Sequence, residues 1–496
     1  CTDCDYAAPV QAYIDSRSSA AGGSHRVLYV DVLALFDEFN FGEYSPLAIR
    51  RFMEYAYTAG NLQSEADAYL FIIGKSRRVD NAIQRLPSPL AVAFKDLVPT
   101  MGAPGSDILF TEGLNGQPHY PAVPVGRLSV SNPENVGYYL DKVIAKESTI
   151  KNSPWTKNFI QLSGGLNTSE LLRFRQFIDR YKNTVQGDFL GANVTNLSKE
   201  TNNAVQKFNV SEEVNRGVGF ITFFGHSSAS FTDIDIGTVT DESNGYNNVG
   251  LYPAFLVNGC RGGEIFDEQV SFGEDWLAAK DRGAVNYMSH SDVGISSVLS
   301  DYTEALYDLL ADTLWMTRSI GHLQQRAIAD FLNTPFLDEL RSSTAEQTVL
   351  QGDPSIPLFG HDKVDYTVSS RDIFLRSIDG NDINSATQFF ELGVAVNNGG
   401  RTTREPLTVR VNRRLSDGTV INLPAIEVPP VSYRDTVYYQ ISNTGLDVLG
   451  DNTFEVIVDP NNDVEEGNEV NNNAERTFNF PANGTFNTSP AIFSIV

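Results

Sequence analysis

Cysteine is scarce. Cys1, Cys4 and Cys260 are the three in 496 residues, too few for a disulfide framework. Cys1 and Cys4 pair with each other, begin a lipid-anchored chain, or are idle thiols; Cys260 is the one internal thiol. Positive charge is short too, with 37 Lys and Arg against 62 Asp and Glu, a net charge of −25. The basic footprint of a nucleic-acid-binding protein is therefore missing, and such acidity suits a protein working outside the cytoplasm. There is no run of about 18 apolar residues, which excludes a transmembrane helix. No signal peptide opens the chain, which starts on Cys1 as a mature form or an excised piece would. No convincing repeat is present, and the nearest thing to a low-complexity tract is the polar run 459-DPNNDVEEGNEVNNN-473.

What the chain does have is a series of apolar runs alternating with amphipathic ones. VLYVDV at 27–32, YLFIIGK at 69–75, NFIQLSGG at 158–165, 218–224, 254–257 and AVNYMS at 284–289 read as strands. Continuous apolar character is what burial on both faces of a parallel sheet demands. Between them, 45–57 reads as a helix with Ser45 as N-cap and Pro46 at N1. Leu140, Val143 and Ile144 fall on another helix, 169–181 on a third capped by Ser169, and 301–314 and 320–332 on two more. The expected fold is α/β, a doubly wound and mostly parallel sheet. After about residue 363 the period changes. Segments 389–396, 406–412, 419–427, 434–440 and 453–458 alternate at strand period between Asn/Gly/Asp/Pro turns, the pattern of an immunoglobulin-like β-sandwich. The expected domains are 1–150 and 151–363, two parts of the α/β body, then 366–482, the sandwich, and 483–496, a tail or the start of a further domain.

Two strand tips draw the chemistry. VGFITFFGHSS ends in His226, and LYPAFLVNGC ends in Cys260. Ligands bind at the carboxyl ends of strands in parallel α/β sheets, and a thiol needs a base to become a nucleophile at neutral pH. Glycines at 225 and 259 permit close backbone approach. The backbone N–H groups of Ser227 and Cys260 are candidates for an oxyanion hole. The bland alternative is a buried inert cysteine and a capped histidine.

The segments 34–57, SDILF at 106–110, VPVGRL at 123–128, YLDKVIAKE at 139–147, TFFGHSS at 222–228, LVNGC at 256–260, 283–294 and QGDPSIPLFG at 351–360 together resemble the gingipain family of cysteine peptidases, in the caspase-like clan. The resemblance spans roughly residues 25–362 in family order. It implies the caspase-like fold in two subdomains, with nucleophile and base on Cys260 and His226. The FDEF-FG-SPLAIRRF stretch and the following β-domain resemble, more narrowly, the PorU-type sortases of type IX secretion. Those imply a cell-surface enzyme that cuts C-terminal targeting domains from cargo through a thioester and passes the cargo to a lipopolysaccharide anchor. Implied partners are such cargo proteins, an outer-membrane shuttle protein and the lipopolysaccharide acceptor. The implied location is the extracellular face of the outer membrane. The stretch 455–473 resembles the CARDB type of Ig-like domain.

The chain departs from the family pattern at three places. Ser227 stands where the family usually has Gly after its histidine. Lys75 stands where an Asp often follows Gly74. Pro118, before His119-Tyr120, stands where arginine-specific members carry the acidic residue that binds arginine, so arginine preference is not expected. Pro118, His119, Asp233 and Asp235 are the candidate pocket residues. The resemblance also implies an acidic partner for the histidine, whose counterpart here is Asp107, either in that role or as a turn residue after Pro104-Gly105-Ser106. His119, His290 and His322 show no zinc-ligand spacing. No cofactor is required. The acidic run Asp459–Glu469, and Asp233, Asp235 and Asp241, offer oxygen ligands for calcium or are solvated surface; no metal ligand set is legible. The readings carried forward are a surface cysteine peptidase or transpeptidase, a catalytically idle scaffold of the same apparatus, and a plain secreted endopeptidase.

Overall fold

In a computed structural model, residues 6–65, 67–77, 96–149, 154–187, 189–267, 269–335, 338–360 and 363–482 are described. Cys1, Cys4 and the tail from 483 lie outside them. The chain divides into two compact units, 1–360 and 361–496.

The helices of the first unit are α1 (Ala7–Ser18), α2 (Val32–Asn40), α3 (Pro46–Thr58), α4 (Glu134–Thr149), α5 (Thr168–Val185), α6 (Ser211–Arg216), α7 (Phe272–Ala278), α8 (Ser296–Leu310), α9 (Ile320–Leu332) and α10 (Glu339–Glu346). Its strands are β1 (Leu70–Ile73), β2 (Val125–Leu128), β3 (Asn158–Ser163), β4 (Asn193–Ser198), β5 (Gln206–Lys207), β6 (Phe220–Phe224), β7 (Ile234–Asp235), β8 (Ala254–Asn258), β9 (Asn286–His290) and β10 (Thr348–Gln351). Eight of these form one sheet in the order β1-β2-β10-β9-β8-β6-β3-β4.

The apolar runs are buried on both faces, as their composition demands. On β6, Phe220 and Phe224 enter a core with Phe174 and Phe177 of α5 and Leu306 of α8, while Ile221 and Phe223 enter a second core with Tyr139 and Val143 of α4 and Trp276 of α7. The sheet is parallel in two blocks. β4, β3, β6, β8 and β9 run one way, β1, β2 and β10 the other, and the blocks meet at the antiparallel pair β9–β10, with Thr348 opposite His290. One rim of the sheet therefore carries both the carboxyl ends of β3, β6, β8 and β9 and the amino ends of β10 and β2.

Segment 27–32 is not a strand. Val27, Leu28 and Tyr29 are exposed, the stretch has no ladder partner among the described residues, and Asp31 instead caps α2 by accepting from Leu33 N–H at 2.8 Å. Helix α5 is capped by Asn167, not Ser169, because the Asn167 carboxamide accepts from Glu170 N–H. The helix read at 301–314 starts earlier and stops at Leu310. Ser45 and Pro46 open α3 as read. Leu140 and Val143 are buried on α4, and Ile144 is exposed.

Helix α4 also buries two lysines. Lys142 donates to the carbonyls of Trp276 and Leu277. Lys146 Nζ lies 4.4 Å over the Trp155 ring and has no hydrogen-bond partner among the described residues. Burial pushes the Lys146 amine down to about 7. The unfolded chain then holds one more proton than the folded one between that value and the ordinary lysine range, so this group makes stability rise with pH across that window. Lys146→Met should stabilise the protein at pH 7 by a few kcal/mol, and the gain should shrink towards pH 10. Thermal melts of both proteins at the two pH values check this; a destabilised variant at pH 7 would contradict it.

The second unit is the all-β sandwich. Its strands are β11 (Tyr366–Thr367), β12 (Ile373–Arg376), β13 (Phe389–Asn398), β14 (Leu407–Arg414), β15 (Val420–Asn422), β16 (Ile426–Val428), β17 (Arg434–Ser442), β18 (Gly450–Val458) and β19 (Asn473–Phe480). β11, β12 and β17 pair with β13; β15, β16 and β18 pair with β14, and β19 with β18. The run read as one strand at 419–427 is two short strands, split at Leu423-Pro424, since proline cannot donate to a ladder. In the acidic run, the Asp459 carboxylate accepts from the N–H groups of Asp463 and Val464 at 3.0 and 2.8 Å. Glu466 accepts from Tyr366 N–H and from Asn472, and burial pushes its carboxyl up to about 7. Asp459 fastens its own loop, and Glu466 ties the loop to β11.

Candidate active site

His226 lies two residues past β6 and Cys260 two past β8. These strands are parallel neighbours, with Phe224 opposite Asn258. The two tips touch: Ser227 Oγ donates to the Cys260 carbonyl at 2.9 Å. The glycines are there for closeness. A Cβ at 259 would sit 2.2 Å from Ser227 Oγ, and one at 225 would sit 2.5 Å from Asp233 Oδ1. Neither glycine has a positive φ, so close approach is what each position requires. Both functional side chains are partly exposed. The thiol lies 3.8 Å from the Gly294 carbonyl.

The partner of the imidazole is Glu170. His226 Nε2 is 3.0 Å from Glu170 Oε2. Glu170 stands in the first turn of α5, its N–H held by Asn167 and its Oε2 also accepting from Leu166 N–H at 2.9 Å. Slight burial pushes its carboxyl up, but the Leu166 N–H and the imidazole outweigh that and hold it below the usual glutamate range. One turn on, Phe174 packs against the imidazole with ring centroids 6.1 Å apart. With Nε2–H donated to Glu170, the Nδ1 lone pair is free to take a proton.

Asp107 does not do this. Its carboxylate accepts from Arg127 Nε at 2.6 Å and Nη2 at 2.7 Å, and from Thr100 Oγ1 at 2.9 Å. Arg127 is fully buried on β2, so Asp107 is the counter-ion of an internal guanidinium. Asp233 is not a pocket wall either. It is buried and accepts from the N–H groups of Gly165 at 2.7 Å and His226 at 3.3 Å, with Lys199 Nζ 3.7 Å away. Burial pushes its carboxyl up, against the pull of those N–H groups and Lys199. It bolts the His226 loop to the end of β3. Asp235 accepts from Gly237 N–H, and Asp241 caps a short turn. Pro118 is exposed and His119 half-buried, on the loop that leads into β2 at the same rim. Lys75 is a buried partner of Glu274 at 2.7 Å. His290 and His322 are buried, bonded to Thr348 and to Tyr69 and Ser319.

The N–H groups of Ser227 and Cys260 find no acceptor among the described residues. Ser227 is the non-bonded member of a bridge whose hydrogen bonds run from Ser228 to Phe231 and from Asp233 to His226. A groove of about 1920 Å³ lined by Tyr13, Leu28, Phe52 and His322 includes neither His226 nor Cys260.

The Peptidase family C25 model matches residues 1–359. The chain belongs to peptidase family C25. A CARDB model matches residues 376–476 of this C25 chain. The complex of the pro- and mature domains of RgpB from Porphyromonas gingivalis is similar in fold, with a TM-score of 0.56 at 15% identity over 96% of this chain and 97% of that one. The Arg-specific cysteine proteinase gingipain R (RgpB) gives 0.52 at 15% identity over 88% and 89%. Dimeric latent PorU from the same organism gives 0.40 at 12% identity, over 98% of this chain and 43% of PorU. No curated protein sequence matches significantly. The α/β unit is thus gingipain-like, followed by a CARDB-type Ig-like domain. No helix among the described residues is long and apolar enough to cross a membrane.

Proposed function

We propose that this C25 protein is an active cysteine endopeptidase of the sortase type. Cys260 is the nucleophile, His226 the base and Glu170 the residue that positions the base. The observation that carries the reading is the Glu170–His226 bond at 3.0 Å on the rim that also presents Cys260. It leaves Nδ1 to accept the thiol proton. The thiolate adds to a substrate carbonyl, and the unclaimed N–H groups of Ser227 and Cys260 hold the oxyanion. The imidazolium returns the proton to the leaving amine, and a thioester remains. Water or an amine then resolves it. The sortase role, with cargo bearing C-terminal targeting domains, an outer-membrane shuttle protein and a lipopolysaccharide acceptor at the cell surface, extends this reading, as does the lack of arginine preference at Pro118. Neither needs a cofactor.

Mass spectrometry after treatment with a chloromethyl-ketone peptide should show Cys260 labelled. Adding an amine to a cleaved substrate then separates transfer from hydrolysis: an aminolysed product is expected, and a hydrolysed one alone would leave a plain endopeptidase. No labelling would leave the idle scaffold.

Glu170→Gln should slow labelling about tenfold to hundredfold and distort its pH profile, because the amide no longer fixes the tautomer. Glu170→Asp should restore part of the rate. An unchanged profile with a lower Tm would reduce Glu170 to a helix-start residue.

A further inference from the structure

We propose that Glu112, His119 and Glu346 bind a divalent transition cation of the zinc class. These residues have no common sequence signature, yet one ligand atom from each lies within 4.8 Å of the others. His119 Nδ1 is 3.5 Å from Glu112 Oε1 and 2.5 Å from Glu346 Oε1. Two ligand atoms on a tetrahedral zinc with bonds of about 2.1 Å stand roughly 3.4 Å apart. The Glu112–His119 edge already has that length. The His119–Glu346 edge is a hydrogen bond that must open by about 1 Å to admit the ion, which two half-exposed side chains can do by rotating.

Charge argues in the same direction. Among the described residues, neither carboxylate pairs with a lysine or arginine; both turn to one imidazole. A divalent ion meets both carboxylates at once. One nitrogen and two oxygens suit a borderline cation better than calcium, which takes six to eight oxygens, and three protein ligands leave a position open for water.

The local chain is shaped to present these atoms. His119 takes a left-handed φ of 61°, and its N–H is held at 2.8 Å by the same Glu112 oxygen that faces its ring. Glu346 is the last residue of α10, and Ser106 Oγ bonds its carbonyl. The site would pin the loop before β2 to the end of α10. From there the path to the thiol is short: Ser291 N–H bonds Gln347 O at 2.9 Å, and Arg261 N–H bonds Asp292 O at 3.0 Å beside Cys260. The ion would thus order one wall of the rim on which the peptidase chemistry is proposed. Binding itself does not depend on that chemistry.

The test uses the full chain carrying Cys260→Ala, so that the thiol does not compete for metal. Calorimetric titration with zinc should give one site that H119A or E346Q removes, with affinity falling at least about tenfold to hundredfold. Zinc should raise Tm in the parent and not in either variant, while Tm in chelator stays the same in all three, which shows that the variants fold. Equal stoichiometry and affinity in parent and variants, or no zinc binding by the parent, would overturn the proposal.

Discussion

Replacing Cys260 by alanine should cut peptidase turnover by about 10⁴- to 10⁶-fold and abolish labelling by a peptide chloromethyl ketone. The fold should hold. The side chain is partly exposed, its thiol meets the Gly294 carbonyl at 3.8 Å, and the bond that joins the two strand tips uses the Cys260 backbone carbonyl, not the thiol. His226→Ala should lose nearly as much, and the double variant little more, because nucleophile and base act as one unit. Circular dichroism and Tm near the parent values, together with the lost rate, make the case. A Cys260→Ala protein that keeps more than about a tenth of its turnover would end the thiol mechanism.

The second large effect is on stability. Asp107→Asn should destabilise the protein by about 3–5 kcal/mol, since it leaves a buried guanidinium without its counter-ion. Arg127 gives two bonds to Asp107 and, through Nη1, one each to the Gly74 and Val98 carbonyls at 2.8 Å. The carbonyls satisfy hydrogens but cancel no charge. Denaturant titration measures the loss, and a companion pair, Asp107→Leu with Arg127→Met, should recover much of it. At a temperature where the variant is folded, labelling of Cys260 should proceed at close to the parent rate. Unchanged stability with slowed labelling would return Asp107 to the imidazole.

The strands and the Cys–His rim were legible because their signals are local. A continuous apolar run states burial on both faces, and the residue two past its end must stand on the rim. Segment 27–32 has the same apolar composition without a neighbouring strand, and composition does not report neighbours. Glu170 carries only a helix-start signal. Its contact with His226 exists because β3, which feeds α5, lies beside β6, and that order is a property of the sheet. Asp107 sits near the right motif, but Arg127 on β2, twenty residues further along, claims it, and neither segment alone encodes that contact. Glu112, His119 and Glu346 are farther apart still. They meet because β10 reverses direction, which brings the end of α10 to the rim where the loop before β2 begins.

That reversal has a mechanical consequence. β10 shares four paired positions with β9 and, with β2, the single pair Gln351–Arg127. The ladder of the sheet is almost interrupted there, and side chains such as Lys75, paired with Glu274 at 2.7 Å, and Ser106, bonded to the Glu346 carbonyl, carry the junction in its place. Slow opening of the β1–β2 edge can then proceed as a separate cooperative event, while β3, β6, β8 and β9 keep the two strand tips in register.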